Sequence, residues 1–517
     1  MEFSYSLPTS SNPADPWKRC AIGAAFVALL PLPYPLGDLF GPSPGMSSDK
    51  KHKCGVFGIW GSTETAQRIY TALFAQQHRG QESAGIATTD GHTLSAHVGM
   101  GLVSEVFNAQ ILNALEGKSG IGHNRYSTTG SSKACNAQPL MMEYTGGQVA
   151  VAHNGNLVNA DLLRREYESR GHIFHTTTDT EVIIHLLATH HLSKEDPLAA
   201  ALQHLQGAYS LVILYKDRME AVRDPWGWRP LVLGQTQDGF YCVASETVAL
   251  DAIGARFIRE VEPGEIVTLS DNGVSSRRFA SEQKLAHCIF EHVYFANPSS
   301  KVFGDTVQIV REKFGEQLAR ESHVDADCVI PMPDSGRSAA LGYARQSGIP
   351  FREGIVPNRY VGRTFIQPSQ KQRDMAVQLK LNAVDEVISG KRIVVVDDSI
   401  VRGTTTRGKM AQLRRAGAKE IHLRISCPPV RHACYFGIDF PDAKQLVATG
   451  RSVEEIAEFL GVDSLHYLSL EGMLSCVSRP AGDYCTACFS GVYRLNVEKP
   501  VNKLDLERYQ LKMFSAE

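Results

Sequence analysis

The segment Arg392-Ile393-Val394-Val395-Val396 is a short continuous apolar run that closes on Asp397-Asp398. A run without polar alternation suits a strand covered on both faces, as in the parallel sheets of α/β proteins. The loop Ser399-Ile400-Val401-Arg402-Gly403-Thr404-Thr405-Thr406 follows, and Met410 to Ala416 reads as a helix. Two carboxylates and a hydroxyl-rich loop therefore stand at the carboxyl end of a strand beside a helix N-terminus, where open α/β sheets bind ligands. Backbone N–H groups and hydroxyls there can cradle a phosphate, while the carboxylates can accept ribose hydroxyls. No Gly-Lys-Ser/Thr follows at Walker A spacing. Taken alone, the segment also fits the plainer reading of a polar loop after a core strand.

At 517 residues the chain exceeds one hydrophobic core and is expected to hold two or three domains. Lys plus Arg number 53 and Asp plus Glu 55, a net charge of −2. That balance supplies no basic field for nucleic acid, so any anion must be bound locally. Eleven cysteines, an odd number, argue against a secreted disulfide framework and for reduced thiols, metal ligands or catalysis in the cytoplasm.

Upstream of Cys54 the chain reads as a leader, residues 1–53. Lys18 and Arg19 precede the apolar run Ala21 to Leu30, a superficial match to a secretory signal. Pro31, Pro33 and Pro35 interrupt it short of the roughly 20 apolar residues of a membrane span. Met46 offers an alternative start that leaves Ser47 to Lys53 as a short pro-segment. If Cys54 becomes residue one, its thiol stands beside a free α-amine, an internal general base with an unperturbed pKa of about 7.7–8.0. A lone cysteine is otherwise most often a small buried hydrophobe.

From Cys54 to about Ala286 the pattern is α/β with short strands. Cys54 to Trp60 alternates, Ala66 to Gln77 carries Ile69, Leu73 and Phe74 on one helical face, and Gly80 marks its stop. Val149 to His153, Ser210 to Tyr215 and Leu231 to Leu233 are strand candidates. Thr178 to Leu187 reads as a helix with Asp179 and Glu181 in its first turn, where negative charge suits the dipole. Three polar clusters interrupt these elements, at Gln77–Gln81, Gly122–Gly130 and Ala152–Asn156. Read singly each is a tight turn, and Asn154-Gly155 is a hairpin signal.

Together the clusters resemble the class II glutamine amidotransferases, the N-terminal-nucleophile type. The matching segments are Cys54-Gly55-Val56-Phe57-Gly58, His78 to Ile86, Arg125-Tyr126-Ser127-Thr128-Thr129-Gly130, His153-Asn154-Gly155 and Thr177-Thr178-Asp179-Thr180-Glu181. The resemblance implies that Cys54 attacks the glutamine amide to give a thioester and ammonia. By the same resemblance the Asn154 side chain and the Gly155 N–H hold the oxyanion, Arg125 pairs with the substrate α-carboxylate and Asp179 binds its α-ammonium. A planar guanidinium fork is suited to that carboxylate.

The second domain, from roughly Cys288, is similar to the phosphoribosyltransferases. On that resemblance Asp397 and Asp398 hold the ribose of phosphoribosyl pyrophosphate, and Ser399, Arg402, Gly403, Thr404 and Thr405 belong to the loop for its 5-phosphate. Val329-Ile330-Pro331-Met332-Pro333-Asp334-Ser335-Gly336 resembles the pyrophosphate loop, which implies one Mg²⁺ per subunit at Ser335, Asp397 and Asp398. Oxygen ligands and a substrate pyrophosphate suit that hard cation. Asn358 to Ile366, with Arg359, Tyr360 and Arg363, resembles the flexible loop that closes over substrate.

Cys485-Thr486-Ala487-Cys488 is compatible with zinc, iron–sulfur or no metal at all. Cys288 and Cys434 occupy the positions where one branch of the glutamine phosphoribosylpyrophosphate amidotransferases places two further ligands of a [4Fe–4S] cluster. The resemblance therefore implies one such cluster per subunit on Cys288, Cys434, Cys485 and Cys488, with a structural role.

The expected fold is α/β in two domains: an N-terminal-nucleophile four-layer αββα sandwich (54–286) and a type I phosphoribosyltransferase parallel-sheet domain (287–470), then a tail (471–517). The family implies synthesis of 5-phosphoribosylamine from phosphoribosyl pyrophosphate, glutamine and water, with internal ammonia transfer, in a cytoplasmic homotetramer that binds neither nucleic acid nor membrane. Purine-nucleotide inhibitors are also implied, although Pro357 stands where the family usually has a lysine at the nucleotide phosphate. A sugar-aminating synthase would share the first domain but lack Asp397-Asp398 with its loop. A non-enzymatic regulator on a phosphoribosyltransferase fold would need no glutaminase site.

Overall fold

The computed structural model describes residues 54–126, 130–281, 283–357, 381–440, 443–497 and 506. The leader 1–53, Ser127 to Thr129 and the loop with Arg359, Tyr360 and Arg363 lie outside the described residues. Thirteen strands come first: β1 Gly55–Trp60, β2 Ser83–Thr89, β3 Leu94–Met100, β4 Ser119–Arg125, β5 Leu140–Tyr144, β6 Gly147–Leu157, β7 Gly207–Leu214, β8 Met219–Arg223, β9 Val232–Thr236, β10 Tyr241–Ala244, β11 Ala255–Glu260, β12 Glu265–Ser270 and β13 Gly273–Arg278. They form a seven-stranded sheet, β11-β9-β10-β1-β4-β2-β3, and a six-stranded sheet, β13-β12-β8-β7-β6-β5. All their pairings are antiparallel.

The period-two alternation of β1 explains the layering. Val56 and Trp60 face one way and join Ala150, Val212, Leu214 and Val243 in a cluster between the two sheets. Phe57 and Ile59 face the other way, against Ile69 and Leu73 of helix α1 (Thr65–Ala75). Helix α2 (Thr180–His190) covers the second sheet, its Val182, Ile183 and Leu186 packing with Val149, Leu211 and Ile213. Helix, sheet, sheet and helix make the expected αββα sandwich. Full burial of side chains such as Phe57 and Ile59 contributes about 1.5–3 kcal/mol each.

Three local expectations differ from what the fold contains. Asn154-Gly155 does not turn: it lies inside the 11-residue β6, with Asn154 opposite Ser210 and Gly155 opposite Tyr209. A Cβ on Gly155 would collide with the Ala208 carbonyl and stand 2.8 Å from His153 Nε2, so glycine is required for close approach rather than for a hairpin. Helix α2 begins at Thr180, leaving Asp179 at the N-cap without capping through its side chain. The helix anticipated from Met410 begins six residues earlier, at Thr404.

The later part of the chain forms a wholly parallel sheet, in spatial order β14 (Cys328–Pro331), β15 (Arg392–Asp397), β16 (Glu420–Ile425) and β17 (Ser464–Tyr467). Ile393 to Val396 are buried on both faces, as the apolar run requires. Helices α3 (Val307–Glu321), α4 (Arg337–Ser347) and α5 (Thr404–Arg415) contribute Phe314, Tyr343, Met410 and Leu413 to the same core. The tail returns to it: Tyr484–Cys485 pairs in parallel with His287–Cys288. All described residues belong to one compact unit, and none of their helices is long and apolar enough to cross a membrane.

Candidate functional site

Cys54 directly precedes β1, which places its thiol at the sheet end where β4 and β6 carry two of the polar clusters. One pocket there is lined by Cys54, Arg125, Tyr126, Gln138, His153, Gly155, Thr178 and Asp179. Cys54 Sγ donates to the Tyr126 carbonyl at 3.5 Å, and the Cys54 carbonyl accepts from Arg79 Nε at 3.0 Å. Burial pushes the Cys54 thiol up to about 11, with Arg125 opposing. At pH 7 a thiol of that pKa is about one part in ten thousand thiolate, so attack on an amide needs a nearby base.

Arg125 is buried and ion-pairs with Glu82 through NH1. Asp179 is held between β6 and α2: its Oδ2 accepts from the Leu157 N–H at 2.9 Å, and His153 Nδ1 stands 3.6 Å from Oδ1. Burial pushes the Asp179 carboxyl up, but His153 and the backbone donors outweigh it and hold it below the usual carboxylate range. Asn154 is buried beside the pocket rather than in its wall, and its Nδ2 donates to Ser245 Oγ at 3.4 Å. The motifs gave no role to Glu82, Gln138, His153 or Ser245. Gln138 Oε1 accepts from the His153 N–H at 2.9 Å, and His153 Nδ1 is 3.2 Å from Thr180 Oγ1, contacts that orient the His-Asn-Gly strand.

A second pocket opens at the carboxyl end of β15. Ser335, Asp397, Asp398, Ser399, Arg402, Gly403 and Thr405 line it, joined by Phe290, Tyr294, Thr406 and Lys409. Thr404 is the first residue of α5, between two lining residues. Gly403 caps that helix at φ 76°, a left-handed conformation that costs a side-chain-bearing residue strain. Asp397 Oδ1 accepts from the Asp398 N–H at 3.0 Å, and Ser399 Oγ donates to Asp398 Oδ2. Burial and the neighbouring Asp398 charge push Asp397 up to about 7, with Lys409 opposing. Lys409 was missed in the sequence, yet it stands four residues after Thr405 and so on the same helical face.

The four cysteines anticipated as cluster ligands come together. Cys288 and Cys485 are register partners, Cys488 accepts through its carbonyl from the Arg431 and His432 N–H groups, and Cys434 precedes the loop that reaches the first sandwich. Burial raises all four thiols, and Cys434, Cys288 and Cys485 raise Cys488 further. None of the ten cysteines among the described residues is in a disulfide. Among those residues no three His, Cys, Asp or Glu side chains close around a single metal ion.

A thiol pocket on an αββα sandwich and an acidic, hydroxyl-lined pocket on a parallel sheet define a glutamine amidotransferase joined to a phosphoribosyltransferase fold. Residues 123–252 match the family model described as a glutamine amidotransferase domain. Similar curated proteins include the chloroplastic amidophosphoribosyltransferase of Glycine max, 50% identical over 87% of this chain and 79% of that protein. Those of Methanothermobacter thermautotrophicus and Bacillus subtilis are each 48% identical, over 89% and 85% of this chain and 98% and 94% of theirs. A solved structure described as the allosteric regulatory enzyme of purine biosynthesis superposes with a TM-score of 0.81 at 46% identity, covering 86% of this chain and 97% of the other. The glutamine phosphoribosylpyrophosphate amidotransferase of Bacillus subtilis, solved with ADP and GMP, gives 0.80 at 46% identity, covering 86% and 98%.

This chain belongs to the amidophosphoribosyltransferase family. It is a transferase of purine biosynthesis that uses glutamine to convert phosphoribosyl pyrophosphate into 5-phosphoribosylamine.

Proposed function

We propose that Cys54 is the mature N-terminal residue and the nucleophile that releases ammonia from glutamine, and that Asp397 and Asp398 mark the site where ammonia meets C1 of the ribose. The observation that carries this reading is the lining of the two pockets: Cys54, Arg125, Gly155 and Asp179 in one, and Ser335, Asp397, Asp398, Ser399, Arg402, Gly403 and Thr405 in the other. The buried thiol, too weakly acidic to ionise unaided, favours cleavage after Lys53, because the freed α-amine then supplies the base. Asn154 and the Gly155 N–H serve the oxyanion, Arg125 exchanges its Glu82 contact for the substrate carboxylate, and Asp179, ionised, takes the α-ammonium. Ammonia passes internally; in water it would be protonated and lost as a nucleophile. Tyr126 is in keeping with such a path, since its carbonyl meets the Cys54 thiol while its phenol feels both Glu82 and Arg402.

Ser335, Asp397 and Asp398 suit Mg²⁺, whose charge would stabilise departing pyrophosphate. Cys288, Cys434, Cys485 and Cys488 suit a [4Fe–4S] cluster: two buried and two half-buried cysteines near one another match a cage that takes one thiolate at each iron. The cluster would tie the tail to the sheet domain. The domain limits 54–286, 287–470 and 471–517 follow the same reading, with Arg359, Tyr360 and Arg363 as the closing loop. The relative solved with ADP and GMP supports purine-nucleotide inhibition; activity unchanged at saturating AMP and GMP would remove it. A cytoplasmic homotetramer completes the proposal.

The direct test is Cys54→Ala in the processed enzyme. Glutamine-dependent synthesis falls at least about a hundredfold, while ammonia-dependent synthesis continues. Retention of glutamine-dependent synthesis would refute the assignment. Mass spectrometry of the active enzyme is expected to find Cys54 first, and full activity with Lys53 attached would exclude the α-amine as base.

A further inference from the structure

We propose that Glu291 is a positioning residue for the nucleophile, acting through Arg79; this rests on Cys54 being the nucleophile. The Arg79 side chain is fully buried and has three jobs at once. Nε donates to the Cys54 carbonyl at 3.0 Å, and NH1 and NH2 donate to Glu291 Oε2 and Oε1 at 3.0 and 3.1 Å, while NH1 also meets Glu246. The guanidinium that grips the Cys54 carbonyl is thus aimed by a two-pronged ion pair whose acid lies 212 residues along the chain.

Glu291 opens the π-helical turn Glu291–Phe295. Phe290, just before it, and Tyr294, within it, line the pocket that contains Asp397 and Asp398. Short π-turns recur at functional sites, where one extra residue redirects side chains. Here Glu291 meets the guanidinium that holds the Cys54 carbonyl, while Tyr294 lines the other pocket. The turn is braced: Arg311 donates to the His292 and Ala296 carbonyls at 2.7 and 2.9 Å, and Glu246 accepts from the Asn297 N–H and Ser300 Oγ, both at 2.8 Å. Arg229 NH1 adds a contact to Glu291 Oε1 at 3.3 Å. Buried ion networks of this kind need well-formed geometry to offset desolvation, and that geometry fixes direction in a way a neutral contact does not. A misplacement of about 1 Å at a reacting group costs on the order of a hundredfold in rate.

The test uses the processed full-length enzyme. Glu291→Gln keeps the shape of the side chain but removes its charge and turns one acceptor into a donor facing Arg79. The expected result is a fall of about tenfold or more in kcat for glutamine hydrolysis, with KM for glutamine within about threefold and ammonia-dependent synthesis within about twofold. Alkylation of Cys54 by iodoacetamide slows in parallel. Glu291→Asp, which keeps the charge but draws it back from Arg79, shifts the same readings by about two- to fivefold and decides the matter if Glu291→Gln does not fold. An unchanged kcat for hydrolysis, or equal loss of glutamine- and ammonia-dependent synthesis, overturns the proposal. Cys54→Ala run alongside separates the premise: glutamine-dependent synthesis surviving there refutes the nucleophile and leaves the role of Glu291 without its object.

Discussion

Cys54 illustrates how a side chain acquires reactivity from its surroundings. Within a continuous peptide it has no adjacent amine, and burial pushes its thiol up to about 11. Alkylation of Cys54 in uncleaved Lys53-bearing protein is therefore expected to rise steadily with pH up to about 11. In the processed enzyme the rate should instead level off near the α-amine pKa of about 7.7–8.0, a difference read from pH–rate profiles with iodoacetamide. On the proposed oxyanion role, Asn154→Ala is expected to lower kcat for glutamine hydrolysis by about 10²–10³, because one oxyanion donor is worth about 2.7–4 kcal/mol. Asp397 titrates in the opposite sense to a salt-bridged carboxylate. Its folded pKa, up at about 7, lies above the unfolded value of about 3.9, so the native state binds the extra proton between those values. Without ligands, stability is expected to decline as pH rises from about 4 to 7, and Asp397→Asn should flatten that decline in thermal unfolding curves.

Strand β6 shows an element overriding local preference. Asn-Gly is a strong two-residue hairpin signal, yet pairing with β7, Asn154 opposite Ser210 and Gly155 opposite Tyr209, keeps the pair extended. The strand can then present His153, Asn154 and Gly155 beside the thiol. Gly155→Ala is expected to destabilise the protein by roughly 1–3 kcal/mol through collision with the Ala208 carbonyl, and to abolish glutamine-dependent activity ahead of ammonia-dependent activity. Chemical denaturation and the two synthesis assays check both halves of that statement. In helix α5 it was the start that was misplaced: the helix expected from Met410 begins at Thr404, directly after Gly403 with its positive φ.

Across the molecule, the cysteines join segments that lie far apart in sequence, from Cys288 to Cys488. Cys488→Ser is expected to reduce bound iron and sulfide and to lower Tm by at least about 4 °C, measured anaerobically by metal analysis and calorimetry, because metal binding at such sites is folding free energy. Full stability with unchanged iron content in that variant would exclude it as a ligand. Much of this architecture was legible beforehand. The unbroken apolar run before Asp397 pointed to a strand with two covered faces, the alternation from Cys54 to Trp60 pointed to a strand, and the resemblance to two known families supplied the layered fold and named residues that line both pockets. Periodicity and turn chemistry are local, so the chain order displays them. The pairing of Arg125 with Glu82, the setting of Asp179 by His153 and Leu157, and the fork from Arg79 to Glu291 were not legible. Their partners are brought together by folding across as many as 212 residues, and no local spacing records which buried charge will meet which.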